Sequence, residues 1–354
     1  MNILYITDNL TSSSVFKSQV HNLCNEHSKY NNVKLLAFCK LKDFNVDIYD
    51  AKYELISVLR LPLLSVPIIG KIQSVFFRDK TLLEWADVIH CRGHGPSLMA
   101  FLLQNKFNIF KPTITDIRGV VAEEVKNSKK SYINNFLYKQ ILRTEKYIFQ
   151  RTNYNFFVTK NMQNYYSDLY NITNIKFSIF PTIVNEKFFH PMNEIGIEIR
   201  KRLELDNKFI YVYSGGQSYW QNLDNILLKF DEVSRVNNGI HLLLLVLNKD
   251  SVLNMMKELK ITSDRITVMS LKYENVGKYL NACNAGLVIR DSSIINYVAS
   301  PTKINEYLSC NLKIVDSLDK IGEIEYSSLV WQNNYMTLTN AVLKQLDIYK
   351  LLKD

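Results

Sequence analysis

The sequence predicts an α/β protein of two Rossmann-like domains that face a cleft, and three observations carry this prediction. The chain has 354 residues, which is too many for one ordinary core. Short apolar runs alternate with helical stretches along its length, which is typical of parallel sheets covered by helices. The alternation restarts after a proline-containing connection at 180–205. We therefore expect domains at 1–188 and 189–334, followed by a C-terminal helical segment at 335–354.

The predicted strands are the short apolar segments rich in β-branched and aromatic residues. In the first half they are NILYIT, VKLLAFC, DVIHCR, PTITDIR and YNFFVT. In the second half they are KFIYVYSGG, HLLLLVLN, RITVMS, AGLVIR and LKIVDS. Ligands of such sheets bind beyond the carboxyl ends of the strands, so functional residues are expected directly after these segments.

Composition narrows the class of partner and the compartment. The net charge of +9 favours anionic partners such as phosphates or an acidic membrane surface. The cations are scattered without an arginine-rich block, so we expect no nucleic acid partner. The five cysteines lie far apart without a C-x-x-C pair, which predicts no metal site, no disulfide framework and a reducing compartment. Without a signal peptide or a run of about 18 apolar residues, a cytoplasmic protein is expected.

One apolar segment, LRLPLLSVPIIGKIQSVFFR at 59–78, has two interpretations. It is interrupted by prolines and a glycine and carries Arg60, Lys71 and Arg78. It is either a buried loop and helix of the first domain, or an interfacial patch whose apolar residues enter a lipid leaflet while its cations meet headgroups.

A glycine pair closes the first strand of the second half, in YVYSGGQSYWQNLDNIL. Gly215 and Gly216 permit positive φ and close backbone approach, and a helix expected to begin near Asn222 offers exposed N–H groups that suit phosphate. A plain strand–helix turn explains the pair equally well. No Gly-Lys-Ser/Thr follows, so the segment is not a Walker loop.

The segment SPTKINEYLSCNLKIV, 300–315, follows Arg290 and an irregular loop. Pro301 suits the first turn of a helix, with Ser300 as its N-cap. Lys303 then lies where the helix dipole disfavours a cation unless an anion is near. That anion is either Glu306 at i+3, a structural pair worth about 0.2–0.5 kcal/mol, or a ligand phosphate. In the second case Glu306 accepts hydrogen bonds from ribose hydroxyls.

These segments resemble the GT-B glycosyltransferases, in particular glycosyltransferase family 4. SPTKINEYLSCNLKIV is similar to the family's nucleotide-binding pattern P-x-K-x-x-E-Y-L-x-x-G-x-P-V-I. The resemblance continues over most of the chain and in the family's order, through VIHCRGHGPSLMAF, PTITDIRGVVAEEV, FVTKNMQNYY, FPTIVNEKFFHP and YSGGQSYWQNLDNIL.

The resemblance implies a retaining enzyme of bacterial surface polysaccharide synthesis. It moves a sugar from a UDP- or GDP-type donor, bound mainly by the second domain, to an acceptor on the first, without a metal. Positive groups and helix N-termini meet the developing charge. The acceptor implied is a growing, lipid-linked glycan such as capsule or O-antigen, with peripheral contact to the inner, anionic face of the cytoplasmic membrane. The final helix, near 335–352, crosses back to the first domain.

The sequence departs from the family's pattern at the donor site. The first of the family's two glutamates falls at Val298, so Glu306 is left alone. The basic residues that often follow the glycine turn fall near Gly216 and Asn222, and neither is basic. Arg290 and Lys303 are the substitutes. The predicted donor-binding residues are Gly215, Gly216, Arg290, Ser300, Pro301, Thr302, Lys303, Glu306, Ser13 and Ser14.

The candidate catalytic residues lie after strands of the first domain. They are His94, Asp116, Arg118 and Glu124, with Glu123 as an alternative to its neighbour. Arg118 matches the position where many family members carry a histidine near the sugar. A packed histidine and a structural Asp–Arg bridge remain the alternatives, as does a solvated loop for Ser13 and Ser14. Two other functions also stay open: a nucleotide-sugar epimerase of the same fold, and a binding protein without turnover.

Overall fold

The computed structural model describes residues 1–8, 14–44, 48, 50–128, 131–172, 176–217, 221–323 and 336–353. The chain divides into two compact units. Unit 1 contains Met1–Ile183, Tyr297–Ser300 and Leu338–Asp354, and unit 2 contains Val184–Asn296 and Pro301–Thr337. Each unit is built on a parallel sheet with helices, so the predicted α/β class with two Rossmann-like domains is confirmed.

The sheet of unit 1 has seven parallel strands in the order β3-β2-β1-β4-β5-β6-β7. Apolar residues of β1 and β4 are buried on both faces, as expected of strands covered by helices on either side. The strands are β1 (Asn2–Thr7), β2 (Asn32–Cys39), β3 (Glu54–Leu59), β4 (Val88–Arg92), β5 (Thr113–Ile117), β6 (Tyr154–Phe157) and β7 (Phe177–Ile179).

The helices of unit 1 mostly connect successive strands. They are α1 (Ser14–Phe16), α2 (Asn22–His27), α3 (Pro67–Phe76), α4 (Thr81–Trp85), α5 (His94–Phe107), α6 (Val121–Lys126), α7 (Ser131–Phe149) and α8 (Lys160–Tyr170), with a π-helical turn at Lys17–His21 and a 3-10 turn at Leu41–Asp43.

The two outer strands, β3 and β7, are absent from the sequence-based prediction. Both are edge strands, and each is hydrogen-bonded to a neighbouring strand on one side only. Most residues of β3 are half-buried rather than alternating between buried and exposed, and β7 has three residues. Neither therefore carries the period-two pattern from which strands are recognised.

The sheet of unit 2 has five parallel strands in the order β11-β10-β9-β12-β13. A two-stranded sheet pairs β8 (Ile183–Val184) with β14 (Met336–Thr337). The five strands are β9 (Phe209–Gly215), β10 (Ile240–Val246), β11 (Ile266–Met269), β12 (Ala285–Leu287) and β13 (Lys313–Val315).

The helices between and around these strands are α9 (Asn193–Arg202), α10 (Leu223–Ser234), α11 (Lys249–Glu258), α12 (Tyr273–Leu280), α13 (Ile294–Val298) and α14 (Thr302–Ser309), with a 3-10 turn at Leu318–Lys320.

The core of unit 2 lies on both faces of this sheet because successive strand residues point to opposite sides. Tyr211 and Tyr213 of β9 join one apolar cluster with α10. Ile210 and Val212 join another, which contains Tyr307 of α14. The sheet therefore has α10 on one face and α14 on the other.

Two details after β12 differ from expectation. The strand ends at Leu287, so Arg290 lies three residues beyond it rather than at its end. The short helix α13 occupies part of the loop that was expected to be irregular.

The prediction that Ser300 caps α14 is also wrong. Pro301 is the N-cap, and the Ser300 hydroxyl lies 3.2 Å from both the Thr182 backbone nitrogen and the Thr182 hydroxyl.

The C-terminal helix α15 (Leu338–Lys353) belongs to unit 1. Its Tyr349 hydroxyl is hydrogen-bonded to Nδ1 of His90 on β4. His27 of α2 is hydrogen-bonded through Nε2 to Oε1 of Gln345, at 2.7 Å. Since all four side chains are buried, these polar contacts fix α15 against unit 1.

The position of α14 depends on one glycine. A Cβ atom at Gly286 of β12 would lie 2.1 Å from Cδ2 of Tyr307, so no larger residue fits under this ring. The Tyr307 hydroxyl accepts a hydrogen bond of 2.8 Å from the backbone N–H of Ser214 on β9. Gly286 and Tyr307 together hold α14 against two neighbouring strands.

Gly286→Ala is expected to lower the free energy of unfolding by about 1–3 kcal/mol, because the ring of Tyr307 must move to admit the methyl group. Urea denaturation measures this difference. The control is Gly239→Ala, where a Cβ atom would approach only the side-chain oxygen of Asn237, at 3.2 Å. Equal stability of the two variants would contradict the close packing of Tyr307 on β12.

Candidate functional site

The strand order of unit 2 places a candidate site at the carboxyl ends of β9 and β12. The chain runs from β9 to β10 on one side, and later returns to add β12 on the other side of β9. Ligands of open parallel sheets bind at such a reversal of strand order. Gly215 ends β9, and Arg290 follows the end of β12.

The glycine turn after β9 brings backbone close to a lysine. Gly215 has φ +145°, and a Cβ atom there would lie 3.3 Å from both Lys303 Nζ and Gln221 Oε1. The Tyr213 hydroxyl lies within hydrogen-bonding distance of Gly216 O, at 2.5 Å, and of Gln221 Oε1, at 2.6 Å. The turn is thus held from inside the sheet by Tyr213. Residues 218–220 lie outside the described part of the chain.

Lys303 lies in the first turn of α14 and is only 9% exposed. Its ammonium group donates to Gln221 Oε1 at 3.1 Å and lies 4.0 Å from the centre of the Tyr213 ring. Burial, followed by the nearby charge of Arg290, lowers the pKa of Lys303 to about 7. Lys303 is therefore held in a buried position that disfavours its charged form.

Glu306 lies one turn further along α14 and is 8% exposed. Burial raises the pKa of Glu306 to about 7, and Lys303 acts in the opposite direction. Among the residues that the structure describes, none donates a hydrogen bond to its carboxylate. Buried carboxylates normally receive such donors, so this one is available to a ligand.

Lys303 and Glu306 form no ion pair with each other or with any other residue of the described ranges. Of the two alternatives for this segment, the i+3 pair does not form a direct ion pair, although each residue lowers the electrostatic cost of the other's charge. Two opposite charges lie one helical turn apart, both buried and both with pKa values displaced toward the neutral form. Such displaced values are frequent at functional sites.

Arg290 is partly buried beside this pair. Its Nη1 atom donates to Asn296 Oδ1 at 3.2 Å, and burial lowers the pKa of its guanidinium. The positive charge of Arg290 contributes, after burial, to lowering the pKa of Lys303. A dianionic group placed between them would remove that repulsion.

The other predicted residues of this segment lie in different surroundings. Thr302 begins α14 directly after Pro301. Ser300 belongs to unit 1 through its contact with Thr182. Val298, at the position of the absent glutamate, is fully buried and its carbonyl accepts from the Thr159 hydroxyl at 2.8 Å. Within unit 2 the structure therefore brings Lys303 close to Gly215, with Glu306 one turn further along α14, while Ser300 contacts Thr182 within unit 1.

In unit 1, Asp116 is the centre of a buried charge cluster. Arg118 Nε lies 2.8 Å from Asp116 Oδ1, while Arg92 Nη1 and His90 Nε2 lie 3.3 and 3.4 Å from Oδ2. Burial acts to raise the pKa of Asp116, but Arg118, His90 and Arg92 outweigh it and hold the pKa well below its usual range. Arg118 also donates to the carbonyls of Phe180 and Pro181, at 3.0 and 3.4 Å.

His94 is buried at the start of α5. Its Nε2 lies 3.2 Å from the Tyr166 hydroxyl and 3.4 Å from Glu145 Oε1, and burial lowers its pKa to about 4. Burial also raises the pKa of Glu145 to about 7. Tyr170 donates to the other oxygen of Glu145 at 2.6 Å. This geometry matches the packed-histidine alternative, and a sugar or acceptor contact of His94 stays a prediction.

The remaining candidates of unit 1 lie on α6 and near α1. Glu124 is half-buried, burial raises its pKa, and one of its oxygens lies 2.6 Å from where a Gly119 Cβ would be. Glu123 instead accepts from the Tyr138 hydroxyl at 3.1 Å. Ser13 lies outside the described residues, as does the side chain of Ser14.

Sequence reasoning missed three residues that shape the unit 2 site. Tyr213 and Tyr307 look like ordinary core residues in an alternating strand and an amphipathic helix, and only their hydroxyl contacts distinguish them. Gln221 carried a usable signal, since a polar residue directly before a helix, after a glycine turn, is well placed to face a ligand.

No cluster of three or more His, Cys, Asp or Glu side chains that could hold a metal ion occurs within the described ranges. No helix in the described part of the chain is long and apolar enough to cross a membrane.

Comparison with known proteins shows the fold. No protein-family model and no curated protein matches the sequence. Among solved structures, sucrose-phosphate synthase from Thermosynechococcus elongatus matches with a TM-score of 0.65 at 13% identity, over 99% of this chain and 91% of that one. WaaG, a glycosyltransferase involved in lipopolysaccharide biosynthesis, matches with a TM-score of 0.66 at 11% identity, over 98% and 94%.

A third match is the structure of HepE from Anabaena in complex with UDP-glucose. Its TM-score is 0.64 at 10% identity, over 100% of this chain and 92% of that one. These alignments cover nearly the whole of each chain. The fold is therefore the one shared by these proteins, the GT-B fold that the sequence resemblance implied.

The buried charges of α14 lead to a prediction about stability. Replacing Lys303 by Met, or Glu306 by Gln, is expected to raise the free energy of unfolding by about 1 kcal/mol or more, because each removes a charge held in a desolvated position. Urea denaturation of the ligand-free protein measures the change. The controls are Lys257→Met and Glu258→Gln on the exposed surface of α11, which should stay within about 0.5 kcal/mol of wild type.

The two variants should differ in their pH dependence. The pKa of Lys303 is lowered to about 7 in the folded state, so wild type regains stability as pH rises above 7 and the advantage of Lys303→Met shrinks. The pKa of Glu306 is raised to about 7, so wild type loses stability as pH rises toward 7 and the advantage of Glu306→Gln grows. If both variants unfold more easily than wild type, the two charges stabilise the protein and this account fails.

Proposed function

We propose that the protein is a glycosyltransferase that moves a sugar from a nucleotide-diphosphate donor to an acceptor hydroxyl. The observation that carries the proposal is the buried Lys303 and Glu306, with Lys303 beside the Gly215 turn and the partly buried Arg290 after β12, none of which has an ionic partner within 4.0 Å among the described residues. A nucleoside diphosphate has both kinds of group that this set lacks: anionic phosphates for the cations and hydroxyl donors for the carboxylate. The GT-B fold of unit 1 and unit 2 supports this assignment.

Lys303 and Arg290 bind the diphosphate in this proposal. Hydrogen bonds between charged partners are about twice as strong as those between neutral groups, and a guanidinium can bind two phosphate oxygens at once. Because Gly215 has no side chain, the Lys303 ammonium lies close to the end of β9, where the phosphate is proposed to bind. The N-terminal turn of α14, which contains Lys303, adds the positive end of a helix dipole.

Glu306 binds the ribose in this proposal. A carboxylate accepts two hydroxyl donors, and the Glu306 carboxylate has no donor among the described residues. Its neutral form is favoured in the ligand-free protein because burial raises its pKa to about 7. Two ribose hydroxyls stabilise the ionised form by replacing the water lost on burial. The absence of the family's first glutamate, at Val298, leaves this role to Glu306 alone.

The same cations assist the transfer step. As the bond between sugar and diphosphate breaks, negative charge accumulates on the leaving phosphate oxygen. Lys303 and Arg290 are already fixed at that position, so they stabilise this charge without further rearrangement. We assign retention of the anomeric configuration and a metal-independent reaction on the sequence resemblance. The HepE complex with UDP-glucose supports a UDP-type donor as the first to test, before the GDP type.

Acceptor binding is assigned to unit 1. Asp116 lies near the carboxyl end of β5 and Arg118 directly follows it, where an acceptor hydroxyl and a donor sugar are expected, and the half-buried Glu124 lies on the following helix, α6. The proposed acceptor is a growing, lipid-linked surface glycan such as capsule or O-antigen, at the inner face of the cytoplasmic membrane. The match to WaaG, a glycosyltransferase of lipopolysaccharide biosynthesis, supports this class of acceptor.

UDP affinity of variants is the direct test of the donor site. Lys303→Met and Glu306→Gln each remove one charged hydrogen bond and are expected to weaken UDP binding about tenfold to hundredfold. Isothermal calorimetry measures the affinity. Lys257→Met and Glu258→Gln on α11 should bind like wild type. Unchanged affinity in both site variants would place the nucleotide elsewhere.

A donor panel separates the three functional hypotheses. Calorimetry with UDP-, GDP-, CMP- and ADP-sugars identifies the base, and product analysis with and without a lipid-linked glycan acceptor identifies the reaction. A transferase forms a new glycoside only with acceptor, and an epimerase alters or releases the sugar without one. If no nucleotide sugar binds at millimolar concentration, the enzyme assignment is wrong.

A further inference from the structure

Helix α3 of unit 1 is firmly attached to α5 along one face. A Cβ atom at Gly70 would lie 2.7 Å from Cδ2 of Leu98, so the two helices approach closely at this glycine. Lys106 of α5 donates to three carbonyls at the C-terminal end of α3, those of Ser74, Val75 and Phe77, at 2.9, 3.1 and 2.7 Å. The orientation of α3 is therefore fixed by both packing and hydrogen bonds.

The loop before α3 is held by the same helix. The side chain of Gln73 accepts from the Leu61 N–H at 2.8 Å and donates to the Leu59 carbonyl at 3.1 Å. These two bonds fix the loop that follows β3. The surface formed by this loop and α3 is thus a built part of unit 1.

The opposite face of α3 exposes four large apolar side chains. Ile68, Ile72, Val75 and Phe76 are 64, 44, 67 and 71% exposed. Their spacing of four, three and one residues places them on one stripe of the helix. Together with the exposed Leu59 and Leu63 of the preceding segment, they make up what we call the α3 surface. Contiguous exposed apolar groups of this kind mark interaction sites.

An apolar groove lies beside the stripe. Its volume is about 440 Å³, and its walls include Val58 and Leu59 of the edge strand β3, Phe76 and Phe77 at the end of α3, and Leu82 of α4. Arg78 and Asp79 also line the groove. The groove shares Phe76 with the stripe and Leu59 with the preceding segment, so groove and stripe form one apolar surface with these two charged residues at its margin.

The charged residues of segment 59–78 are all cations. Residues 59–78 contain Arg60, Lys71 and Arg78 and neither Asp nor Glu. Arg60 lies 3.5 Å from Asp8. Lys71 and Arg78 are exposed and have no acidic partner within the described residues. An occupant that is apolar in its interior and anionic at its surface satisfies both features, and an anionic lipid bilayer is such an occupant.

We propose that the α3 surface docks unit 1 on an anionic lipid bilayer. Helix α3 lies in the plane of the interface, its stripe of Ile68, Ile72, Val75 and Phe76 enters the acyl region, and Lys71 and Arg78 contact lipid phosphates. A helix of ten residues is about 15 Å long, which suits lying on a membrane and not crossing it. This proposal does not depend on the proposed transfer reaction.

Vesicle co-sedimentation of the full chain tests the proposal. Wild type should bind vesicles that contain phosphatidylglycerol, bind vesicles of pure phosphatidylcholine more weakly, and be released from the anionic vesicles by salt. The double variant Ile72→Ser, Phe76→Ser should lower partitioning at least about tenfold, since two apolar anchors are lost. Its matched control is Ile197→Ser, Leu351→Ser, two exposed apolar residues of α9 and α15, which should bind like wild type.

The cations are tested separately. Lys71→Gln, Arg78→Gln should lower partitioning to anionic vesicles about thirtyfold, because each cation near such a surface contributes a factor of about five. Lys201→Gln, Lys350→Gln is the control, with both lysines exposed on other helices. Equal binding of wild type and the Ile72, Phe76 variant would overturn the proposal. So would a concentration-dependent dimer that this variant abolishes, since the α3 surface would then be covered by a second copy of the chain.

Discussion

Lys303 and Glu306 lie one turn apart on α14, both buried, and the described residues give neither an ionic partner. Burying a charge without a partner is costly, so this arrangement persists only because surrounding packing imposes it. Tyr307, seated on Gly286 and hydrogen-bonded to Ser214, supplies that packing. The proposed donor site rests on the charges of Lys303 and Glu306. The predicted pH dependence of the free energy of unfolding rests on the same two charges.

The charged cluster of unit 1 is organised in the opposite way. Asp116 is fully buried, but its carboxylate faces Arg118, Arg92 and His90, and its pKa is held low. The charge of Asp116 is balanced by these neighbours, and the cluster fixes the chain after β5 through the bonds of Arg118 to Phe180 and Pro181. A structural role is therefore already accounted for at Asp116. In unit 2, by contrast, no described residue donates a hydrogen bond to the Glu306 carboxylate, so its contacts do not indicate a structural role.

The sequence was sufficient for the class of fold and for a helix at the Lys303 and Glu306 segment, because both depend on local pattern. Short apolar runs separated by helical stretches predict the strands of a parallel sheet where helices cover both of its faces. They did not predict the edge strands β3 and β7, because these strands are incompletely buried. The spacing of Lys303 and Glu306 predicted a helix but could not decide between an ion pair and a ligand site, since side-chain separation depends on tertiary packing. Ser300 was misjudged for the same reason, because Thr182 lies far away in sequence. Tyr213 and Tyr307 have hydroxyl contacts that no local pattern encodes.

Proton uptake on binding of a UDP-sugar tests the central claim most directly. At about pH 8 most Lys303 side chains are neutral in the free protein, since burial and Arg290 lower the pKa to about 7. A diphosphate beside Lys303 raises this pKa, so binding must take up close to one proton. Calorimetry in two buffers of different ionisation enthalpy measures the number of protons. The account predicts an uptake approaching one proton for wild type and none for Lys303→Met. Tight binding by wild type without proton uptake would contradict it.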